Sequence, residues 1–434
     1  MKIYLYLFML LPVLSYGQKP KKDSQIRSLN QIAEDYVRLG LAIGQYDTDF
    51  VDAYYGPDSL KPSAAKQALF PKDRLLNVSN KLLEELRVYS LKGKDTSAVR
   101  RANWIASQLI ATNRRIRIFT GEYASFDTEA KELFGLLPPS FTEEYFRKLV
   151  KELDHLLPGQ GAVNERFQQF ANRFIIPKDK LDTVYKAAIA ESRERTLRHY
   201  KLPPGEDFKV QYVTDKPWSG YNWYQGHYKS LIQFNTDVSA YIEKAIDVAC
   251  HEDYPGHHVY NTLLEKNLYR DRGRVEISLY PLFSPQSLIA EGSANYGIDV
   301  VFPGKQKNQF AGDVLLPMAG LDTAGLNTYF KVLEIKGKLQ YVHTEVARRL
   351  VDGKMTEKEA IRWTMDYGLF NESDAVRALA FKKKYRSYVI NYTVGQDLIR
   401  SYIRSKGGAD DPEKRWKLFG WLLSNQVTPA DLIL

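Results

Sequence analysis

Cysteine is almost absent: Cys250 is the single one in 434 residues, so no intrachain disulfide can form. A chain of this length can build a core large enough to stand without one, so the shortage is compatible with an oxidising compartment. Cys250 directly precedes His251, and neighbouring helix residues point about 100° apart. It is therefore read as a small buried hydrophobe and not as a thiolate ligand. Beyond the N-terminus no stretch reaches ~18 uninterrupted apolar residues, which leaves no candidate for a membrane-spanning helix. No fixed-period repeat and no low-complexity tract occur. Basic tracts are short, Lys19-Pro20-Lys21-Lys22 and Lys382-Lys383-Lys384, although the formal net charge is +9. Positive charge dispersed in this way belongs to a solvated surface, and no nucleic-acid partner is expected. Attraction of anionic substrates or cell-surface polymers stays open.

What is present is ordinary for a globular protein: 44% apolar and 26% charged residues. The 29 tyrosines and 20 phenylalanines are accounted for by core and subsite packing. The first residues read as a secretion leader. Lys2 gives a basic start, Tyr4 to Leu14 is apolar apart from Pro12, and Ser15-Tyr16-Gly17 offers small residues for cleavage. Residues 1–17 are thus expected to be a signal peptide cleaved near Gly17, delivering the chain to the periplasm or outside the cell. The run is too short for a stable anchor. No cysteine follows it to carry a lipid, so no stable membrane anchor is expected after cleavage.

The remainder divides at Leu202-Pro203-Pro204-Gly205-Glu206-Asp207, a linker candidate. Residues 18–205 form an N-terminal helical region: Leu29, Ile32, Ala33, Tyr36 and Val37 recur at helix spacing, and Ile105, Leu109, Ile116 and Ile118 mark another apolar stretch. Residues 206–434 form a catalytic region. There Phe208 to Val213 and Lys229 to Asn235 read as short strands, with Pro217, Gly220 and Gly226 as turn residues between them. Helical periodicity returns after Asp237, and Thr356 with Glu359 reads as a capping box. The expected fold is mainly α, with a small antiparallel sheet beside the active-site helix.

Chemistry concentrates at His251-Glu252-Asp253-Tyr254-Pro255-Gly256-His257-His258, which holds three of the seven histidines. Ile242, Ala245, Ile246 and Ala249 give the preceding segment an apolar helical face. His251 would ligate a metal, and Glu252 would act as general base. The usual second histidine lies at i+4, but that position is Pro255. On a straight helix His257 would be rotated about 120° from His251, and His258 would sit roughly 10 Å away. Proline lacks the N–H that helix continuation needs, and glycine tolerates distorted dihedrals. A break at Pro255-Gly256 would let His257 converge on His251, with His258 turned away as a supporting or substrate-contacting group. Spacing alone does not exclude His258 as the ligand in place of His257. Glu291, in Ala290-Glu291-Gly292-Ser293-Ala294-Asn295-Tyr296, is the candidate third ligand, with an ordinary surface glutamate as the alternative. Asp247, one turn before His251, is a candidate to orient its imidazole, and a solvated helix acid is the alternative.

These two segments resemble the DUF885 family, whose members look like gluzincin-type metallopeptidases. The resemblance covers roughly residues 210–400, including the strand ending in Phe234-Asn235 and, more weakly, Val394-Gly395-Gln396. It implies one zinc ion held by His251, His257 and Glu291. The sequence departs from the family at Ser293, where Trp is usual, at Val394, where Pro is usual, and in lacking a clean Arg-Tyr pair before it. The reading that follows is an exported zinc-dependent peptidase acting on a peptide or small amide. The strand Lys229–Asn235 would pair with the substrate backbone, Asn235 would border the site, and Tyr388 or Tyr392 would stabilise the oxyanion. The alternatives are a zinc hydrolase of non-peptide amides or esters, and a non-catalytic exported binding protein on the same scaffold.

Overall fold

A computed structural model describes residues 27–92, 95–216 and 218–433. The leader at 1–17 and the turn residue Pro217 lie outside the described residues. Seven helices precede the sheet: α1 (Leu29–Gly44), α2 (Lys72–Lys92), α3 (Thr96–Phe119), α4 (Phe126–Phe134), α5 (Glu143–Leu156), α6 (Val163–Ala171) and α7 (Leu181–Leu197). After it come α8 (Ile242–Val248), α9 (His257–Leu264), α10 (Pro285–Val301), α11 (Gln306–Phe310), α12 (Leu316–Ala319), α13 (Leu326–Leu339), α14 (Tyr341–Val351), α15 (Glu357–Asp366), α16 (Glu372–Tyr385), α17 (Ile390–Ser405) and α18 (Pro412–Leu423). The mainly helical reading holds. Ile32, Ala33, Tyr36 and Val37 form the buried face of α1, and Ile105, Leu109, Ile116 and Ile118 are buried on α3. Thr356 and Glu359 form the capping box in both directions.

The strands are β1 (Val51–Tyr54), β2 (Asp207–Val213), β3 (Gly220–Gly226), β4 (Lys229–Asn235) and β5 (Leu279–Pro281). The small sheet has the order β2-β4-β3; β3 pairs antiparallel with β4, and β2 pairs parallel with it. The two expected strands are therefore neighbours, and the segment read as turns between them contains a third strand. Gly220 and Gly226 bound that strand. The β3–β4 turn places His227 and Tyr228 at positive φ (54° and 62°), a left-handed conformation that costs ordinary residues roughly 1–2 kcal/mol. Buried Glu265 offsets this by accepting both of their N–H groups, at 3.0 and 3.2 Å.

The linker at 202–207 joins α7 to β2 without dividing the core. One apolar cluster runs from Ile32 to Leu432, and β1 pairs with β5 across the two halves of the chain. The buried bidentate pair of Arg101 with Glu276, at 2.7 and 2.8 Å, also joins the two halves, and that of Arg115 with Asp47, at 2.6 and 2.9 Å, ties α3 to the segment after α1. Among the described residues no helix is long and apolar enough to cross a membrane.

Helices α10 and α17 cross at a point where only glycine fits. A Cβ on Gly292 would lie 2.4 Å from the Gly395 carbonyl carbon, and one on Gly395 would lie 2.8 Å from the Leu288 oxygen. These contacts are with backbone, so no side chain can yield. Gly292→Ala or Gly395→Ala should each destabilise the fold by about 3 kcal/mol, because overpacked backbone must move. Gly337→Ala on α13, where a Cβ meets nothing within 4 Å, should stabilise it by about 0.5–1 kcal/mol. Urea denaturation of the three variants checks both signs.

Candidate metal centre

The helix carrying His251 is interrupted where the sequence places proline. After α8 the chain widens into a π-helical turn, Ala249–Asp253, and Tyr254 is extended (φ −117°, ψ 116°). Helix α9 then starts at His257. Gly256 closes the turn, since a Cβ there would stand 1.8 Å from the His251 carbonyl oxygen. The turn is pinned from outside: Asn222 of β3 donates to the Glu252 carbonyl at 2.7 Å, and the Tyr254 hydroxyl meets Glu206.

This path brings the imidazoles together. His251 Nε2 and His257 Nε2 are 3.1 Å apart. Glu291 Oε2 lies 3.3 Å from the first and 3.8 Å from the second. Donors about 2.0–2.1 Å from a tetrahedral ion are separated by about 3.3–3.4 Å, so the triangle has the size of one face of such a site. The donor set of two imidazoles and a carboxylate also suits that ion. Glu291 Oε2 is buried and has no hydrogen-bond partner among the described residues, an orphaned acceptor that a cation would satisfy. These three form the one group of possible metal ligands among the described residues.

The surroundings fix each ligand. The His251 Nδ1–H donates to Asn295 Oδ1 at 3.1 Å, which leaves Nε2 with its lone pair toward the triangle. Asn295 Nδ2 in turn donates to the Tyr392 carbonyl at 3.3 Å, which sets the amide's orientation. Tyr388 donates to Glu291 Oε1 at 3.1 Å. Burial opposes ionisation of Glu291, yet the two histidines facing it hold its carboxyl well below the usual range. His257 shows the converse. Burial disfavours its charged form, but Glu291, Glu252 and Asp52 push its pKa up to about 9.

Glu252 is 7% exposed and its carboxylate makes no hydrogen bond among the described residues. Burial, with Glu291 adding to it, pushes its carboxyl up, the direction that favours a general base near neutrality. Gly220 leaves room for it: a Cβ there would be 3.2 Å from Glu252 Oε1.

Other sequence-derived assignments need correction. Asp247 does not orient His251; it pairs with Lys307 and Lys244, because the π-helical turn between them rotates His251 off its face. His258 is fully buried, with Ser230 Oγ at 2.8 Å and Glu206 at 2.9 Å, so it braces the turn and neither binds metal nor meets substrate. Asn235 donates to the Lys216 and Trp218 carbonyls at 2.9 and 3.0 Å and accepts from the Asp237 N–H, holding its own loop. Strand β4 is central, so its edges are already used and it is not the strand open to a substrate; β2 and β3 are the edge strands, and β3 is the one whose Gly220 lies against Glu252. The Tyr388 hydroxyl is committed to Glu291, which makes it a positioning residue. Tyr392, one turn further and 39% exposed, keeps its ring 5.9 Å from Tyr388. Its phenol is pushed well up by desolvation and by the Glu291 and Glu252 carboxylates. Arg386 is held by Glu129 at 2.8 Å through two nitrogens.

Two site residues escaped the sequence reading. Asn295 was legible in principle, lying four residues after Glu291 and so on the same helix face. Asp52, on β1, bonds the Tyr221 hydroxyl and feels the charges of His257, Glu291 and Glu252. It is 199 positions from His251, and nothing local marks it.

No protein-family model matches the chain, and no curated protein matches it. Among solved structures, a candidate lipoprotein from Colwellia psychrerythraea matches with a TM-score of 0.52 at 15% identity, over 82% of this chain and 65% of that one. The chain therefore spans just under two thirds of that protein's length. Trypanosoma cruzi metallocarboxypeptidase 1 matches with a TM-score of 0.48 and the M32 carboxypeptidase from Deinococcus radiodurans R1 with 0.43, each at 12% identity over 93% of both chains. At 15% identity the likeness to the first is one of fold alone.

Proposed function

We propose that the chain is an exported, zinc-dependent metallohydrolase that cleaves peptide bonds. The observation that carries this reading is the triangle of His251, His257 and buried Glu291, with a Glu291 oxygen that makes no hydrogen bond among the described residues and a carboxylate, Glu252, beside it. The resemblance of the two motifs to DUF885 supports it, and the leader-like N-terminus supports export. The division into a helical region at 18–205 and a catalytic region at 206–434 is kept for the placement of the ligands, all of which fall in the second part.

In this mechanism His251, His257 and Glu291 hold the ion, and a divalent ion there supplies Lewis acidity toward a carbonyl and acidifies water. Glu252 accepts the water's proton and returns it to the leaving amine. Tyr392 is the candidate donor to the oxyanion, and Tyr388 keeps Glu291 oriented. The free edge of β3 runs past Glu252 and can pair with an extended substrate backbone. A general base is of no use to a binding scaffold, which favours the enzymatic reading.

Glu252→Gln should keep one equivalent of zinc, read by elemental analysis, while lowering peptide hydrolysis about 10³-fold. Full activity in that variant would remove the general-base role. Asn295→Ala should weaken zinc binding about 10–100-fold by freeing the His251 ring. Binding should also depend on pH. The ion-free His257 keeps its proton up to about pH 9, whereas a ligand must be neutral, so affinity rises from pH 7 to 9 by about tenfold per unit. Calorimetry in buffers of differing ionisation enthalpy reads the released proton directly.

A further inference from the structure

One acid beside the metal centre is left unused by this mechanism. Asp52 reaches the site from β1, far from the other site residues in sequence, and among the described residues its carboxylate is hydrogen-bonded by the Tyr221 hydroxyl alone. It is partly accessible and forms no ion pair among the described residues. It is not a member of the ligand triangle. Its position is fixed through β3. Gly220 lies against Glu252, and the next residue, Tyr221, carries the hydroxyl that meets Asp52.

Tyr221 is also the middle ring of an aromatic row. Its centroid lies 5.5 Å from Trp218 and 4.6 Å from Trp223, and Trp223 is 42% exposed. A carboxylate bonded to the middle ring of an aromatic row is a combination that favours cations, through ion pairing and through the negative ring faces. The sign of the cleft agrees. The charges that dominate at Asp52, Glu252 and Glu291 are one another and the two histidines, with no lysine or arginine among them. A divalent ion would offset Glu291 and Glu252 and leave Asp52 uncompensated. A substrate carboxylate would find no counter-charge here, whereas an ammonium would.

Resting on the metallohydrolase reading, we infer that Asp52, with Tyr221 and the Trp218–Trp223 row, forms a subsite for a cationic nitrogen of the substrate. The nitrogen is supplied either by a free amino terminus next to the scissile bond or by a basic side chain. Asp52 acts by binding and places no demand on the proton transfers of Glu252.

The test is calorimetric binding of metal-chelating hydroxamates to the zinc-loaded mature chain. Leucine hydroxamate is compared with its analogue carrying hydroxyl in place of the α-amino group, and 6-aminohexanohydroxamate with hexanohydroxamate. At least one amino compound should bind about tenfold tighter than its neutral partner, and the pair that shows the preference tells the amino terminus from the side chain. Asp52→Asn should bring that ratio close to one, and Asp52→Glu should restore part of it, which a merely structural role would not do. Tight but equal binding within both pairs overturns the inference alone. Absence of binding by all four compounds overturns the metal-centre reading and the inference with it. A preference that survives in Asp52→Asn, with an unchanged melting temperature, also overturns the inference.

Discussion

The contact between Gly256 and the carbonyl of His251 is the constraint on which the site depends. In an uninterrupted helix, residues six apart lie about 9 Å apart along the axis and point about 120° away from each other. Here their imidazole nitrogens are 3.1 Å apart. The difference is made by the backbone, through a π-helical turn, an extended Tyr254 and a glycine folded against the residue five positions earlier. His258, Glu206, Tyr254 and Asn222 tie this path to the sheet and to the linker before it. The residue types in the motif are therefore of two kinds: those that carry donors to the triangle, and those that let the chain take the path that aims them.

A second close approach completes the centre. The glycine pair at 292 and 395 lets α10 and α17 cross at backbone contact. That distance sets Tyr388 on Glu291 and places Asn295 between His251 and the Tyr392 carbonyl. An isolated buried carboxylate would cost several kcal/mol if left uncompensated. Glu291 is compensated by the histidines and Tyr388, yet it keeps one oxygen free. The oxygen left without a hydrogen bond is the one that faces both imidazoles, where a shared cation would sit.

The sequence shows some of these features and hides others, for physical reasons. Periodicity revealed α1 and α3, and Thr356 with Glu359 revealed the start of α15, because caps and buried faces are local properties. The convergence of His251 and His257 was legible because proline and glycine have nearly fixed backbone meanings. The strand β3 was missed since Trp218, Tyr221 and Trp223 sit among glycines that read as turns. Asp247 misled because a one-turn offset implies a shared face only in a regular helix, and the π-helical turn removes that regularity. Asp52 carries no local signal; its proximity to the centre exists only once β1 has paired with β5.

The chain's charge illustrates the same separation between sequence and site. A formal net charge of +9 suggests a preference for anions. Yet the basic residues are engaged elsewhere: Arg101 with Glu276, Arg115 with Asp47, Arg386 with Glu129 and Lys307 with Asp247. Many others lie on the solvated surface, where salt screens charges beyond a Debye length of about 8–10 Å. Around the candidate metal centre the neighbouring charges are the carboxyls of Asp52, Glu252 and Glu291 and the two histidines, with no lysine or arginine among them. A ligand is selected by the field at the point where it binds, so the folded distribution and not the net charge decides the preference.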